Sequence, residues 1–266
     1  MSPPSGLRFN LAVVSVLWRR DLKRFFRQRS RIVGALLQPL IFWFVLGSGL
    51  AGTFQMAGVP GLGYLEYFYP GIVAQIILFT SIFTTMSVIE DRGEGFLQAV
   101  LVAPAARGSL VLGKALGGTS IALLQAAAFL ALAPWTGFPA GAIQWAPLFL
   151  FLLATGLCLT GLGFFMAWKL NSIQGYHAVM SVLLLPAWML SGAMFPLPSG
   201  GGWLAAAMRA NPLTYCVDGI RRSLYGRGAD VPGAIAGLST GAELAIVAVF
   251  ALAALAAAAR ACGRRE

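Results

Sequence analysis

Long apolar blocks separated by shorter polar segments dominate the hydrophobic pattern of this chain. A helix that crosses a bilayer needs about 20 mostly apolar residues. Five blocks meet this requirement well, and a sixth is shorter, rich in alanine and bordered by Glu243. In chain order the six blocks are residues 32–50, 72–89, 115–134, 146–168, 176–195 and 244–259. The pattern predicts an all-α integral membrane fold with six transmembrane helices, in which residues 32–259 form a single transmembrane domain.

A different pattern precedes the first block, within residues 1–31. Leu11, Val14, Trp18, Leu22 and Phe25 recur every three or four residues and therefore share one face of a helix. The rest of that helix is basic, with Arg19, Arg20, Lys23, Arg24 and Arg27. Such a helix is expected to lie among the lipid headgroups on the cytoplasmic side. Its role is either to fix the topology or, in addition, to contact a cytoplasmic partner.

The outer segment between the fifth and sixth blocks, residues 196–241, is too long for a hairpin loop and too apolar for a soluble domain, and residues 196–226 within it contain two short helical patterns. Residues 203–209 fit one short helix. Asn211 as N-cap and Pro212 in the first helical position predict a second helix that runs to about Tyr225. Asp218 precedes Arg221 and Arg222 at ion-pairing distances along that helix. Because neither helix is long enough to span, the segment predicts a re-entrant outer hairpin.

Composition agrees with a membrane protein. Hydrophobic residues make up 58% of the chain, charged residues only 11%, and the net charge is +10, whereas a soluble domain carries about 25% charged residues. In a membrane protein such basicity indicates loops held in the cytoplasm and not a nucleic-acid partner. With the N-terminus inside, the inner segments hold 15 Lys and Arg and the outer segments 4. We therefore expect a multi-pass protein of the cell (inner) membrane with both termini, including the tail 260–266, in the cytoplasm.

The segment between the second and third spans, residues 90–108, is much longer than a reversal of the chain requires. It begins with Glu90, Asp91 and Arg92, continues with an apolar middle and ends near Arg107. This arrangement suggests a cytoplasmic docking element that receives force from another subunit.

Motifs for chemistry are scarce. Residues 108–115 match a phosphate-binding loop except at the last position, where Ala115 stands in place of the Ser or Thr that would hold magnesium. Lys114 is then expected to extend toward the inner interface, and Gly113 and Gly117 to admit a neighbouring helix. Glu90, Asp91 and Glu94 could in principle bind a divalent ion, but complementarity to a partner explains them better. No metal or cofactor is expected in this chain.

The polar residues noted inside the spans are uncharged glutamines. Gln38, Gln75 and Gln125 each lie within an apolar block. They either hydrogen-bond neighbouring helices or line a substrate path. No Asp, Lys or Arg lies in the middle of a span, so an ion-coupled carrier would lack an obvious charge carrier.

Taken together, these features resemble the membrane subunits of ABC-2 type ABC exporters, which serve drug, lipo-oligosaccharide and polysaccharide export. The similarity covers nearly the whole chain. It depends on the basic N-terminal helix, on the loop EDRGEGFLQAVLVAPAAR, and on the outer segment NPLTYCVDGIRRSLYG. The resemblance implies a permease dimer paired with two separate ATP-binding subunits, which use ATP and Mg. It also implies that the chain itself is not an enzyme.

Residue roles follow from the same resemblance. It implies that coupling to the ATPase falls on Glu90, Asp91, Arg92, Gly93, Phe96, Leu97, Pro104 and Arg107. It implies that an outer re-entrant hairpin is formed around Asn211, Pro212, Tyr215, Asp218 and Arg221. Two alternatives stay open: an integral-membrane enzyme acting on lipid-linked substrates, and a channel or ion-coupled carrier. The substrate is not readable from the residues.

Overall fold

The computed structural model describes residues 6–50, 62–102, 105–198, 201–226, 231, 233–235 and 237–263. Within these residues the chain is helical and contains no strand. The α-helices are α1 (Leu7–Arg27), α2 (Arg29–Leu50), α3 (Tyr64–Thr85), α4 (Ser87–Gly93), α5 (Phe96–Val102), α6 (Arg107–Leu130), α7 (Trp145–Lys169), α8 (Ile173–Trp188), α9 (Trp203–Ala210), α10 (Pro212–Tyr225) and α11 (Thr240–Gly263). A 3₁₀ turn spans Ala133–Thr136, and a π-helical segment spans Met189–Ala193.

Six helical stretches in the described part of the chain are long and apolar enough to cross a membrane. They coincide with the six predicted blocks, so the predicted all-α membrane fold is confirmed. The boundaries differ most for the third span, which begins at Arg107, and for the second, which begins at Tyr64 and continues through α4 to Gly93. Its first turns are aromatic and their side chains are buried against other helices. Tertiary packing thus extends a helix that hydropathy alone starts later.

Helix α3 forms the centre of the bundle. It packs against α2, α6, α7 and α10, and nearly all its side chains are buried. Helices α2, α8 and α11 lie at the periphery and expose large apolar side chains such as Phe44, Val182 and Leu252. Exposed apolar surface of this extent suits contact with lipid or with another membrane chain.

Small residues allow the closest helix contacts. A Cβ built at Gly161 would lie 3.1 Å from the backbone nitrogen of Leu255, so α7 and α11 touch there almost backbone to backbone. At Gly163 a Cβ would lie 2.5 Å from the hydroxyl of Thr85. Glycine at these positions lets the helices approach closely, as is common in membrane bundles.

The fifth span changes direction near its end. Pro186 lies inside α8, and the π segment that follows contains Gly192 with φ of +78°. A side chain would be strained at that backbone angle. At the bend the carbonyl of the buried Gly192 accepts hydrogen bonds from Tyr67 Oη at 2.9 Å and from Arg221 Nη2 at 2.7 Å. The bend therefore joins α3 and α10 to the fifth span.

Candidate functional site

Helix α1 lies alongside the first half of α6, where two glycines permit a close approach. A Cβ at Gly113 would lie 2.9 Å from the Cβ of Leu17, and one at Gly117 would lie 3.1 Å from the Cβ of Asp21. The sequence prediction that Gly113 and Gly117 admit another helix is therefore confirmed. The face of α1 buried against protein contains Leu17, Asp21 and Phe25.

The apolar stripe that was predicted to face the headgroups runs through Leu11, Val14, Trp18, Leu22 and Phe25. Of these residues Leu11 is exposed, Val14, Trp18 and Leu22 are partly buried, and Phe25 is buried. The predicted helix is present, and its buried contact with the protein is made by Leu17, Asp21 and Phe25. Placement of α1 in the headgroup plane stays a prediction.

Lys114 is the centre of a buried ion-pair cluster. Its Nζ lies 2.5 Å from Asp91 Oδ2 and 3.2 Å from Asp21 Oδ1, and it donates to Ser87 Oγ at 3.1 Å. The side chain is buried. The expectation that Lys114 extends to the lipid interface is therefore wrong, because two acidic residues from α1 and α4 hold it inside.

Two further basic side chains, both from α1, contact Asp91. Arg20 of α1 binds both its carboxylate oxygens, with Nη1 at 2.9 Å from Oδ2, and Arg24 Nη1 lies 3.4 Å from Oδ1. Arg24 also pairs with Glu90 at 2.7 Å. Asp91 is 0% exposed, so three basic side chains balance a fully buried carboxylate. A bidentate guanidinium–carboxylate contact is the geometry that most strongly fixes orientation.

Arg92 extends the same segment to α7. Its guanidinium donates to the carbonyls of Ala167 at 2.8 Å and Trp168 at 3.1 Å, and to the side chain of Asn171 at 3.2 Å. These carbonyls belong to the last turn of α7, which lacks intrahelical partners. A cation there is also favoured by the helix dipole. Arg92 thus caps α7 and joins it to α4.

The remaining predicted coupling residues divide into inward- and outward-facing groups. The Arg20 guanidinium lies 3.9 Å from the ring centroid of Phe96, and Leu97 is 1% exposed. Gly93 and Arg107 are exposed, and Pro104 lies outside the described residues. Among the α5 side chains whose burial is described, Val102 is the most exposed, at 87%. The outward surface of this segment therefore includes Gly93, Glu94 and Val102.

Burial dominates the electrostatics at Asp21. Loss of hydration raises the pKa of its carboxyl above the ordinary value, although Lys114 and Arg20 favour the ionised form. Sequence reasoning did not predict Asp21 as a cluster member. The available signal was its position as the one acidic residue within the basic run Arg19 to Arg24.

Acidification should stabilise the native chain relative to an Asp21→Asn variant. Because the pKa of the Asp21 carboxyl is higher in the folded chain, the folded state binds more protons than the unfolded state does. The stabilisation that this protonation contributes is complete below the ordinary pKa of about 4. It is lost as the pH rises through the raised pKa. The difference in unfolding free energy, native minus variant, should therefore grow from pH 7 toward about pH 4. Parallel denaturation curves would measure it, and a difference that does not change with pH would contradict this origin.

The outer segment forms the two predicted helices, α9 and α10. Asn211 caps α10 by accepting from the Leu213 amide at 3.1 Å, and Pro212 occupies its first position, as predicted. Tyr215 donates to the carbonyl of Arg209 at 2.7 Å. Entry of this segment into the membrane stays a prediction.

The ion pairs of α10 differ partly from the prediction. Asp218 pairs with Arg222 at 3.2 Å. Arg221 instead donates to Gly192 and lies 4.5 Å from the ring centroid of Tyr67. Arg222 also lies 3.2 Å from Glu243 at the start of α11, a residue that is 0% exposed. The acidic residue at the edge of the last span is therefore held inside the protein by α10.

The three span glutamines lie in different environments. Gln38 is exposed on α2, whereas Gln75 and Gln125 are buried. The hydroxyl of Thr80 donates to the side-chain oxygen of Gln125, which joins α3 to α6. In this structure the three residues therefore do not share one surface.

Asp21, Glu90 and Asp91 each form an ion pair with a basic side chain, whereas Glu94 lines a surface cleft with Arg20 and Arg24. Among the described residues no group of three or more His, Cys, Asp or Glu side chains is placed to hold a metal ion. The geometry instead suits a mechanical connection among α1, α4, α6 and α7.

Comparison with known proteins gives the family. Residues 12–225 match the family model described as ABC-2 type transporter. The chain is 31% identical over 210 residues to the transport permease ycf38 of Cyanophora paradoxa, covering 75% of this chain and 71% of that one. It is 28% identical to nodulation protein J of Neorhizobium galegae, covering 84% of each.

A third relative is longer. The multidrug ABC transporter permease YbhR of Escherichia coli is 28% identical over 167 residues, which cover 62% of this chain and 45% of YbhR. The names of these relatives agree with the transport role that the resemblance implied, and the six candidate spans of the structure agree with a membrane protein. The chain belongs to the ABC-2 type transporter family and is a multi-pass membrane transport permease.

Proposed function

We propose that this chain is the transmembrane subunit of an ATP-driven exporter and that α4 and α5 dock on a separate ATP-binding subunit. The observation that carries this proposal is that one short segment is joined to three helices. Asp91 holds α1 and α6 through Arg20 and Lys114, and Arg92 holds α7. The segment therefore cannot move without moving those helices.

This rigidity matters because the energy source lies on another chain. Closure of two ATP-binding subunits must act on spans that contain no nucleotide site of their own. A buried, bidentate ion pair resists sliding better than exposed contacts do. Force on the exposed edge of α4–α5 would thus move α1, α6 and α7 together as one rigid body. This movement would shift the equilibrium between two arrangements of the spans.

The assembly and orientation follow from the same proposal. The basic residues of α1 and the α4–α5 segment face the cytoplasm, with both termini there, in the inner membrane. A second permease copy completes the translocation path, and ATP and Mg are used by the partner subunit. The hairpin of α9 and α10 closes the outer end.

The transported molecule is amphipathic or lipid-linked. No Asp, Lys or Arg lies in the middle of a predicted span, so part of the substrate can stay near the bilayer. One relative is named a multidrug transporter permease and another a nodulation protein. Neither name fixes the substrate of this chain.

Val102→Asp should weaken docking of the ATP-binding subunit while the permease stays folded. Val102 is 87% exposed, and a charge that replaces an apolar contact residue of an interface typically costs about 2 kcal/mol, or roughly thirtyfold in affinity. Co-purification from the native membrane, with partners identified by mass spectrometry, measures the loss. Leu97→Asp is unsuitable, because Leu97 is buried within the chain itself.

Two controls define this test. Trp203→Asp changes an exposed apolar residue on α9 and should leave the recovery of the ATP-binding subunit unchanged. Val102→Ala should have a small effect. Full recovery of the partner with Val102→Asp would show that α5 does not dock, and recovery of native chain alone in active form would reject an ATP-driven permease.

A further inference from the structure

Two carboxyl groups face one cation where α10 meets the start of α11. Arg222 Nε lies 3.2 Å from Asp218 Oδ2 and 3.2 Å from Glu243 Oε1. The two acidic side chains are only 3% and 0% exposed, whereas the Arg222 side chain is 21% exposed. If both carboxyl groups were ionised, one buried negative charge at this contact would have no cation opposite it.

The neighbouring charged groups do not supply the missing cation. Arg221 of α10 donates to the carbonyl of Gly192 and lies over the ring of Tyr67 of α3. Glu66 of α3 lies beside Tyr225 of α10 and adds a further carboxyl group. Around this contact, the described parts of α3, α10 and the first turn of α11 therefore contain three carboxyl groups and two guanidinium groups.

The remaining basic residues of the helices packed around the contact are remote or exposed. Arg209 of α9 is exposed, and its helix precedes α10. The other basic residues in the described parts of α6, α7, α8 and α11 lie toward the opposite end of the bundle, and they are Arg107, Lys114, Lys169, His177 and Arg260. The surplus negative charge therefore has to be neutralised at the contact itself.

Hydrogen bonding shows the same deficit. Asp218 Oδ2 accepts from Arg222 and from the backbone amide of Ile235 at 2.9 Å. Asp218 Oδ1 and both carboxyl oxygens of Glu243 are buried and have no hydrogen-bond donor among the described residues. The two carboxyl groups are within reach of one hydrogen bond, but ionised carboxylates can only accept. One proton between them would turn one group into a donor and would also remove the surplus charge.

Opposing electrostatic effects act on Glu243. It lies in the first turn of α11, where the helix dipole favours a carboxylate. This effect is smaller than the free-energy cost of removing an unpaired charge from water. A buried carboxyl group without a cation of its own is therefore expected to bind a proton.

A cleft beside the pair gives the proton a path to solution. The cleft has a volume of about 520 Å³ and lies between the starts of α7 and α11 and the end of α10. Arg222, Thr240 and Gly241 line it, and Gly241 is exposed. Since Arg222 lines the cleft and also contacts both carboxyl groups, the pair can exchange its proton with solution at this end of the bundle.

We propose that Asp218 and Glu243 bind one proton between them and that this proton holds the start of α11 against α10. Release of the proton leaves two carboxylates on either side of Arg222, and their repulsion loosens α11 from α10. In the orientation proposed above, the pair exchanges its proton with solution outside the cell. The proton site itself depends neither on that orientation nor on an ATP-binding subunit.

Infrared spectroscopy of the full-length chain in lipid bicelles detects this proton directly, because protonated and ionised carboxyl groups absorb at different frequencies. At pH 7 the native chain should show a protonated-carboxyl band that Glu243→Gln lacks, and the band should disappear as the pH is raised. The subtraction removes other carboxyl groups such as Asp21. Glu94→Gln changes an exposed carboxyl group and should leave the band unchanged. Identical native and Glu243→Gln spectra would overturn the proposal.

The pH dependence of unfolding tests whether the proton holds the contact. Above about pH 5 an unfolded glutamate is ionised, whereas the folded pair keeps its proton, so the proton stabilises the chain less as the pH rises. The ratio of unfolding constants, native to Glu243→Gln, should therefore rise up to about tenfold per pH unit and become constant once the folded chain releases the proton. A ratio that does not change with pH would overturn the stabilising role.

A second variant keeps both tests valid if Glu243→Gln does not fold. In Asp218→Asn the amide can donate to Glu243, which then ionises opposite Arg222. This variant should lose the same infrared band and the same pH dependence. A band retained in Asp218→Asn would show that Glu243 binds the proton without Asp218, which would overturn the shared site.

Discussion

Replacing Lys114 by methionine should lower the free energy of unfolding of the chain by about 3–5 kcal/mol, since removal of one partner leaves a buried charge uncompensated. The charge in question is Asp21, which faces Lys114 at 3.2 Å and has Arg20 as a more distant partner at 3.7 Å. Asp91 would retain Arg20 and Arg24 and lose only its contact with Lys114. Denaturant unfolding in lipid bicelles, followed by tryptophan fluorescence, measures the change.

The double variant Lys114→Met with Asp21→Asn separates loss of the ion pair from loss of packing. Removing both charges should recover part of the stability, with a coupling energy of about 1–3 kcal/mol. The matched control Lys169→Met changes an exposed lysine at the end of α7 and should stay within about 0.5 kcal/mol of the native chain. If the double variant is no more stable than Lys114→Met, the ion pair is not the source of the effect.

Replacing Arg222 by methionine should cost about 3 kcal/mol at the opposite end of the bundle, because two buried carboxylates lose their shared cation. Arg222 Nε lies 3.2 Å from Asp218 and 3.2 Å from Glu243, and its Nη2 donates to the carbonyl of Ile235 at 2.7 Å. The variant should loosen α11 from α10. Unfolding curves would report the stability, and proteolysis at the start of α11 would report the loosening.

Glu243→Gln added to Arg222→Met should restore part of this loss, since it removes one of the two buried acidic groups that contact Arg222. Arg209→Met is the control, because Arg209 is exposed on α9. Should Arg222→Met unfold like the native chain, Glu243 must be neutral or balanced by another group, and the ion-pair account of the α10–α11 contact would fail.

The two clusters suggest how the permease keeps its moving parts aligned. One cluster binds α1, α4 and α6 where the candidate docking segment begins. The other binds α10 to α11 where the outer hairpin meets the last span. Both clusters remove several charged side chains from water. Desolvation of these charges costs free energy, and the loss of any single partner is therefore strongly destabilising.

The sequence by itself determined the six spans, the amphipathic helix and the two short outer helices. Hydrophobic length and capping are local properties: a run of about 20 apolar residues or an Asn-Pro start signals its element without reference to distant residues. For the same reason the cap by Asn211 and the close approach at Gly113 and Gly117 were predicted correctly.

Only the tertiary structure decided which faces meet. Asp21, Asp91 and Lys114 lie on three helices, and nothing in the spacing of one helix states which residue of another will oppose it. Lys114 was therefore expected at the lipid interface, and Leu97 was predicted to dock on a partner although it is buried inside the chain. Glu243 weakened the prediction of the last span, whereas in the structure Arg222 lies beside it. A charge in a membrane chain acquires its role from its partner, and helix packing alone selects that partner.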